Sequence, residues 1–95
     1  MKYKLPVDYD KLAQWQRREV REQYIVEQSG ECLYCGNPLE SGPKEDVLSL
    51  PIDLRLFPPF FLKNPIHLQH CHSSGMTEGA VHAYCNAVLW QYHNR

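Results

Sequence analysis

Apolar residues recur at helical spacing early in the chain. Leu12, Trp15, Val20, Tyr24 and Ile25 form one stripe among charged and amide side chains. Asp8 or Asp10 can cap this helix, and Gly30 is a natural stop just past Gln28 or Ser29. The period is then lost. Residues 37–65 are punctuated by Asn37-Pro38, Ser41-Gly42-Pro43, Pro51, Pro58-Pro59 and Asn64-Pro65, which leaves room only for short strands such as 47–50. Phe57, Phe60 and Phe61 are expected to fill the core of so small a domain, the alternative being wedges that enter a DNA groove. Next, 66–71 reads as a strand, Ser73-Ser74-Gly75 as a turn, and 77–82 as the returning strand. From Ala83 the pattern is helical again, with Val88, Leu89 and Tyr92 at helical spacing and Trp90 beside them. The predicted class is α+β in a single domain over 1–95. An N-terminal helix occupies 1–30, and a knuckle, an irregular insertion, a β-hairpin and a helix follow over 31–95.

Composition narrows the function classes. A chain of 95 residues buries only about 60–65% of its unfolded surface, so a structural metal would add needed stability. The most apolar run, 54–62, carries Arg55 and Pro58-Pro59 and falls well short of the ~20 residues that cross a bilayer. A net charge of −1 gives no global attraction to nucleic acid, so any such case must rest on a local site. Arg17, Arg18 and Arg21 do cluster, but Glu19 and Glu22 sit among them, and the expected reading is a solvated helix face. The start Met1-Lys2-Tyr3-Lys4-Leu5 offers no apolar run of signal-peptide length, and a cytoplasmic setting is expected.

Four cysteines could form two disulfides, but their spacing suits a metal better. Cys32-Leu33-Tyr34-Cys35 supplies one ligand pair and His82-Ala83-Tyr84-Cys85 a second with the same two-residue gap. Such a gap lets one tight turn aim both side chains at a tetrahedral ion, so Cys32, Cys35, His82 and Cys85 are the expected structural Zn²⁺ ligands. Gly36 permits the positive φ that such knuckles often need. Cys71 is read as a spare thiol, with ligation in place of His82 as the alternative.

Between the two pairs lies His67-Leu68-Gln69-His70-Cys71-His72, and Asn86 directly follows the last cysteine. The run Cys32-x2-Cys35, then Gln69-His70-Cys71-His72-Ser73-Ser74-Gly75, then Glu78-Gly79-Ala80-Val81-His82-x2-Cys85-Asn86 resembles the HNH (ββα-metal, His-Me finger) endonucleases, in their recombination endonuclease VII-like branch. The likeness covers about residues 22–90, and its motifs are concentrated in 67–86. It implies a zinc-stabilised ββα-metal fold that hydrolyses phosphodiester bonds of double-stranded DNA, by nicking or by cutting both strands. It further implies His70 as the general base and Asn86 as a ligand of one catalytic divalent ion, Mg²⁺, Mn²⁺, Co²⁺ or Ni²⁺. Gln69 falls where the family carries a metal-binding aspartate. His67 and His72 are candidates to complete that metal shell, or to serve only as structural residues.

The chemistry fits these residue types. A neutral imidazole near its ordinary pKa of about 6.5 can activate water at neutral pH, and a cation offsets charge developing on the phosphate. The chain also departs from the family pattern. Gln69 has no charge to offer a hard cation. Glu78 replaces a common arginine, and the stretch between Cys35 and His70 is long. Adjacent strand residues point to opposite faces, so Gln69 and His70 can share one phosphate only if the strand ends or bulges there. The runner-up is a zinc-held nucleic-acid-binding module that has lost catalysis, and a zinc module that binds protein stands third. Monomer and homodimer are both left open.

Overall fold

The structure, a computed structural model, describes residues 2–93. Among these residues lie three helices and one antiparallel hairpin: α1 (Gln14–Glu27), α2 (Glu45–Leu48), β1 (Ile66–His70), β2 (Thr77–His82) and α3 (Ala83–His93). Short 3₁₀ turns occupy Tyr9–Lys11 and Leu54–Leu56. The α+β class is therefore correct, with a two-stranded sheet. A lone hairpin is marginal in water. Here α1 and α3 both pack against it, and Val20, Tyr24, Leu68, Ala80, Val81, Val88 and Leu89 close the core.

The first helix begins later than its acidic caps suggest. Asp8 instead caps the 3₁₀ turn, its side chain accepting the Asp10 N–H at 3.1 Å. At the start of α1 the Gln16 side chain accepts the Ala13 N–H at 2.8 Å. Trp15 does not join the buried stripe and is 60% exposed. It lies five residues before Val20, roughly 140° round a helix of 3.6 residues per turn, so the two cannot share a face. The helix stops as expected: Ser29 and Gly30 have φ of 57° and 77°, and the Gly30 N–H reaches the Ile25 carbonyl at 2.8 Å.

At the C-cap of α1, the Gln28 side-chain amide acts as a piece of strand backbone. Its Oε1 accepts the Ala80 N–H at 2.8 Å and its Nε2 donates to the Ala80 carbonyl at 2.9 Å. Gly79 makes this approach possible, because a Cβ there would sit 2.6 Å from Gln28 Oε1 and 2.7 Å from Leu33 Cδ2. The end of α1 is thereby locked to β2.

The 37–65 segment is folded onto the rest. Its predicted strand at 47–50 is instead the one-turn helix α2, with Glu45 and Asp46 in the first turn, where the helix dipole favours acids, and Val47 buried. No partner strand is available to it, since the sheet contains only β1 and β2. Tyr84 donates its hydroxyl to the Leu50 carbonyl at 2.6 Å, Tyr92 donates to the Pro51 carbonyl, and the Asp53 N–H reaches Gln91 Oε1 at 2.9 Å. The three phenylalanines do not fill the core as expected. Phe57 and Phe61 are half-buried and Phe60 is 70% exposed. Small and branched residues already close the interior, leaving no room for these rings.

The hairpin keeps its predicted second strand, and β1 ends one residue early at His70. Pairing runs from Ile66↔His82 to Gln69↔Gly79 and then jumps to His70↔Thr77, so Glu78 is the extra residue of a bulge. The turn closes through the Gly75 N–H to the Cys71 carbonyl at 2.7 Å, with Gly75 at φ 77°. No helix among the described residues is long and apolar enough to cross a membrane.

Candidate metal centre and basic groove

Cys32, Cys35, His82 and Cys85 converge, with ligand atoms all within 4.8 Å of one another. Every one of the four is buried, Cys85 completely. The knuckle that carries the first pair is shaped by the Gly36 N–H on the Cys32 carbonyl at 3.0 Å and by φ 83° at Gly36. The Leu33 N–H then reaches the Ala80 carbonyl at 3.0 Å, tying the knuckle to β2. His82 ends β2, and Cys85 sits in the first turn of α3.

The histidine is oriented as a ligand. Its Nδ1 lies 3.5 Å from Cys35 Sγ and 3.6 Å from Cys85 Sγ. Zinc bonded to sulfur at ~2.3 Å and nitrogen at ~2.05 Å in a tetrahedron would set that edge at about 3.6 Å. The other ring nitrogen, Nε2, meets the carbonyls of Ser41 and Pro38 at 2.8 and 3.0 Å and must carry the proton. That bond leaves the Nδ1 lone pair free for a metal, the outer support that ligating histidines usually have. A hydrogen bond from the Cys85 thiol draws Cys32 down to about 4 and pushes Cys85 up. One thiolate is thus ready for a cation, while further ligands must release protons on binding. All four cysteines are free, so the disulfide alternative does not hold. Cys71 lies apart in the turn with its Sγ 3.1 Å from Ser73 Oγ, and it does not replace His82. The four residues fit a structural zinc.

A cavity of about 760 Å³ opens between α1, the hairpin and the 54–64 segment. His67, His70, His72 and Asn86 line it, together with Arg17, Arg18 and Arg21 from α1. Phe57, Phe61 and Trp90 line it as well, and none of the described lining residues is acidic. The three arginines therefore form a cavity wall rather than only the solvated helix face that the sequence suggested.

His70 is held from several sides. Tyr9 stacks on it with ring centroids 3.9 Å apart and planes 9° apart, and the Arg17 guanidinium lies 3.9 Å from the centre of the Tyr9 ring. Tyr9 is itself fixed by its N–H on the Gly75 carbonyl at 2.8 Å. His72 meets His70 edge-on at 5.0 Å. Burial chiefly lowers the His70 pKa, and His72 lowers it further; Asp10 and a hydrogen bond to the Leu68 carbonyl oppose this. The net shift is downward, which favours the neutral, proton-accepting form of the ring near neutral pH.

His67 packs edge-on against Phe61 at 4.6 Å, and its Nδ1 lies 3.1 Å from the Asn86 side-chain amide. Its pKa is lowered mainly by burial, against hydrogen bonds to the Phe61 and Asn64 carbonyls. Gln69 is not in this group. It is 2% exposed, donates to the His70 carbonyl at 3.2 Å, and lines a separate cleft with Leu33, Tyr34, Glu78 and Leu89. The bulge expected as a condition for Gln69 and His70 to work together is present, yet only His70 reaches the cavity.

No local signal marks Tyr9, whose position depends on the N-terminal segment crossing to the hairpin turn. The arginine cluster was visible, but the aromatic lining of the same cavity was not. No protein-family model, characterised protein or solved structure matches this chain.

Proposed function

We propose that this protein is a metal-dependent endonuclease of the HNH type that hydrolyses DNA phosphodiester bonds, with His70 as general base. One observation carries the reading: His70, the His67–Asn86 pair and three arginines open onto one cavity without an acidic lining residue among those described. Arginines hold a phosphate by charge and by paired N–H donors. A phosphate seated there would lie beside an imidazole whose lowered pKa keeps it neutral and able to take a proton from water. Tyr9 fixes the plane of that ring and so the directions of its nitrogens.

The donor set bears on the catalytic ion. His67 Nδ1 and the Asn86 amide, 3.1 Å apart, suit a divalent ion of mixed nitrogen and oxygen preference, with Asn86 turned to present Oδ1. When bound, that ion would offset charge on the phosphate and the leaving oxygen. With no carboxylate in the set, Mn²⁺, Co²⁺ or Ni²⁺ fits better than Mg²⁺.

A second reading rests on Gln69. The position expected to hold an acidic ligand has neither charge nor access to the cavity, which favours a zinc-held nucleic-acid-binding module without catalysis. Incubation of supercoiled plasmid with each of the four ions, using wild type and His70→Ala, separates the two. Cleavage by wild type alone supports the nuclease. Binding without cleavage under every ion supports the module.

A further inference from the structure

The cavity that the arginines line is also lined by aromatic rings, and nothing among the described residues covers them fully. Trp90 is 41% exposed and meets the Phe57 ring edge-on at 5.5 Å, and Phe57 in turn packs on Phe61 at 4.7 Å. Leu56 beside them is 49% exposed. These side chains are not on a loose loop. The Asp53 N–H is bound to Gln91 Oε1 at 2.9 Å, and Asp53 also caps the turn that follows, accepting the Arg55 N–H at 3.0 Å. The protein thus holds partly exposed rings in place around the same cavity as the arginines.

We propose that this cavity binds single-stranded or locally unpaired DNA, with the arginines on phosphates and an unstacked base on the Trp90–Phe57 surface. The inference rests on the cavity being a DNA site and adds the form of DNA it takes. Charge complementarity selects a polyanion, since no described lining residue is acidic. The aromatic wall selects among polyanions. In a duplex the base faces are stacked on one another, and only their edges reach a groove. An unpaired base brings a free π-face, which stacks on aromatic side chains with little regard to sequence.

The chain has two tryptophans, Trp15 and Trp90. In a Trp15→Phe background, Trp90 fluorescence reports base stacking directly. The zinc-loaded protein, without added catalytic ion, would be titrated with an oligothymidylate, with its duplex with oligoadenylate, and with a duplex containing an unpaired bubble. Single strand and bubble should quench Trp90 and bind at least ~10-fold more tightly than duplex at equal salt. Trp90→Ala should weaken single-strand binding by about 5- to 150-fold, the range that base–aromatic stacking confers, and leave duplex binding unchanged. Trp90→Phe should restore most of the loss. Arg18→Ala should weaken both forms alike and flatten the salt dependence. Equal or tighter duplex binding overturns the inference, as does an equal loss for both forms in Trp90→Ala. A protein that prefers single strands yet never cleaves plasmid keeps this inference and loses the nuclease reading. One that cleaves through His70 without a single-strand preference does the reverse.

Discussion

Replacing Cys85 by serine should unfold the protein, because a zinc ion in this site would contribute about as much as the whole fold can spare. A domain of 95 residues at roughly 0.05–0.15 kcal/mol per residue has a net stability of about 5–14 kcal/mol. Structural zinc supplies an apparent ~10–16 kcal/mol at neutral pH in small domains. The two ranges overlap, so zinc loss leaves little or no net stability. Cys85 is completely buried, and a serine hydroxyl there is both a poor zinc ligand and a buried polar group. His82→Cys makes a useful contrast. It keeps four ligands but deletes the Nε2 hydrogen bonds to the Ser41 and Pro38 carbonyls, which should cost only ~1–3 kcal/mol. The assay is a thermal melt by far-ultraviolet circular dichroism, with zinc quantified by a colorimetric chelator. Wild type should hold one zinc per chain and lose its cooperative transition on chelation. Cys85→Ser should show no transition, and His82→Cys should melt cooperatively at a lower temperature. Metal-free wild type melting cooperatively at an unchanged temperature would refute the reasoning.

Other perturbations test the cavity and its supports. His70→Ala should lower plasmid cleavage by ~10²–10⁴ with the circular dichroism spectrum unchanged, and wild-type rates would remove it as the base. The lowered His70 pKa means that the ring stays unprotonated to more acidic pH, so the acid limb of kcat/KM should fall below the ordinary ~6.5. Tyr9→Ala, which uncovers the ring, should move that limb upward; a limb that stays put would deny Tyr9 its part in burying His70. Gln69→Asp should leave the Mg²⁺ requirement untouched, whereas Asn86→Ala should raise the requirement for every ion; a sharp gain for Mg²⁺ in Gln69→Asp would bring position 69 into the metal shell. Gly79→Ala should destabilise the fold by ~1–3 kcal/mol, because the added methyl drives into Gln28 Oε1 and Leu33 Cδ2, and an unshifted urea midpoint would contradict that packing.

Legibility in the sequence followed the range of the interactions. The hairpin, its turn and the onset of α3 at Ala83 were readable because alternation, Ser73-Ser74-Gly75 and the return of helical spacing are local signals. The zinc ligands were readable for the same reason, as two pairs with fixed gaps that need only one another. The 47–50 stretch was misread, since Val47, Leu48 and Leu50 suit a strand, yet strand formation requires a partner that β1 and β2 do not offer, and Val47 and Leu48 fall in α2 instead. The phenylalanines were misplaced because a core-filling expectation ignores how much room Val20, Val81 and Val88 leave. Gln69 shows the sharpest limit. Its position in the motif suggests a ligand, but side-chain direction at a bulge is set by the pairing of both strands.

The two sites are mechanically one. Asn86 directly follows Cys85, and His67 pairs with Val81, next to His82. Drawing Cys85 and His82 to a common ion therefore fixes the first turn of α3 against the end of β2. That junction sets the 3.1 Å approach of the Asn86 amide to His67 Nδ1. The Ala83 N–H on the Pro65 carbonyl at 2.9 Å secures the same corner from the other strand. If the cavity takes DNA as proposed, the zinc site would matter for it without touching it, because it orders the residues that face the cavity. Loss of the ion should disorganise the His67–Asn86 pair even in a variant stabilised enough to stay folded. His70 should be less affected, since Tyr9 and the N-terminal segment hold it from the opposite side.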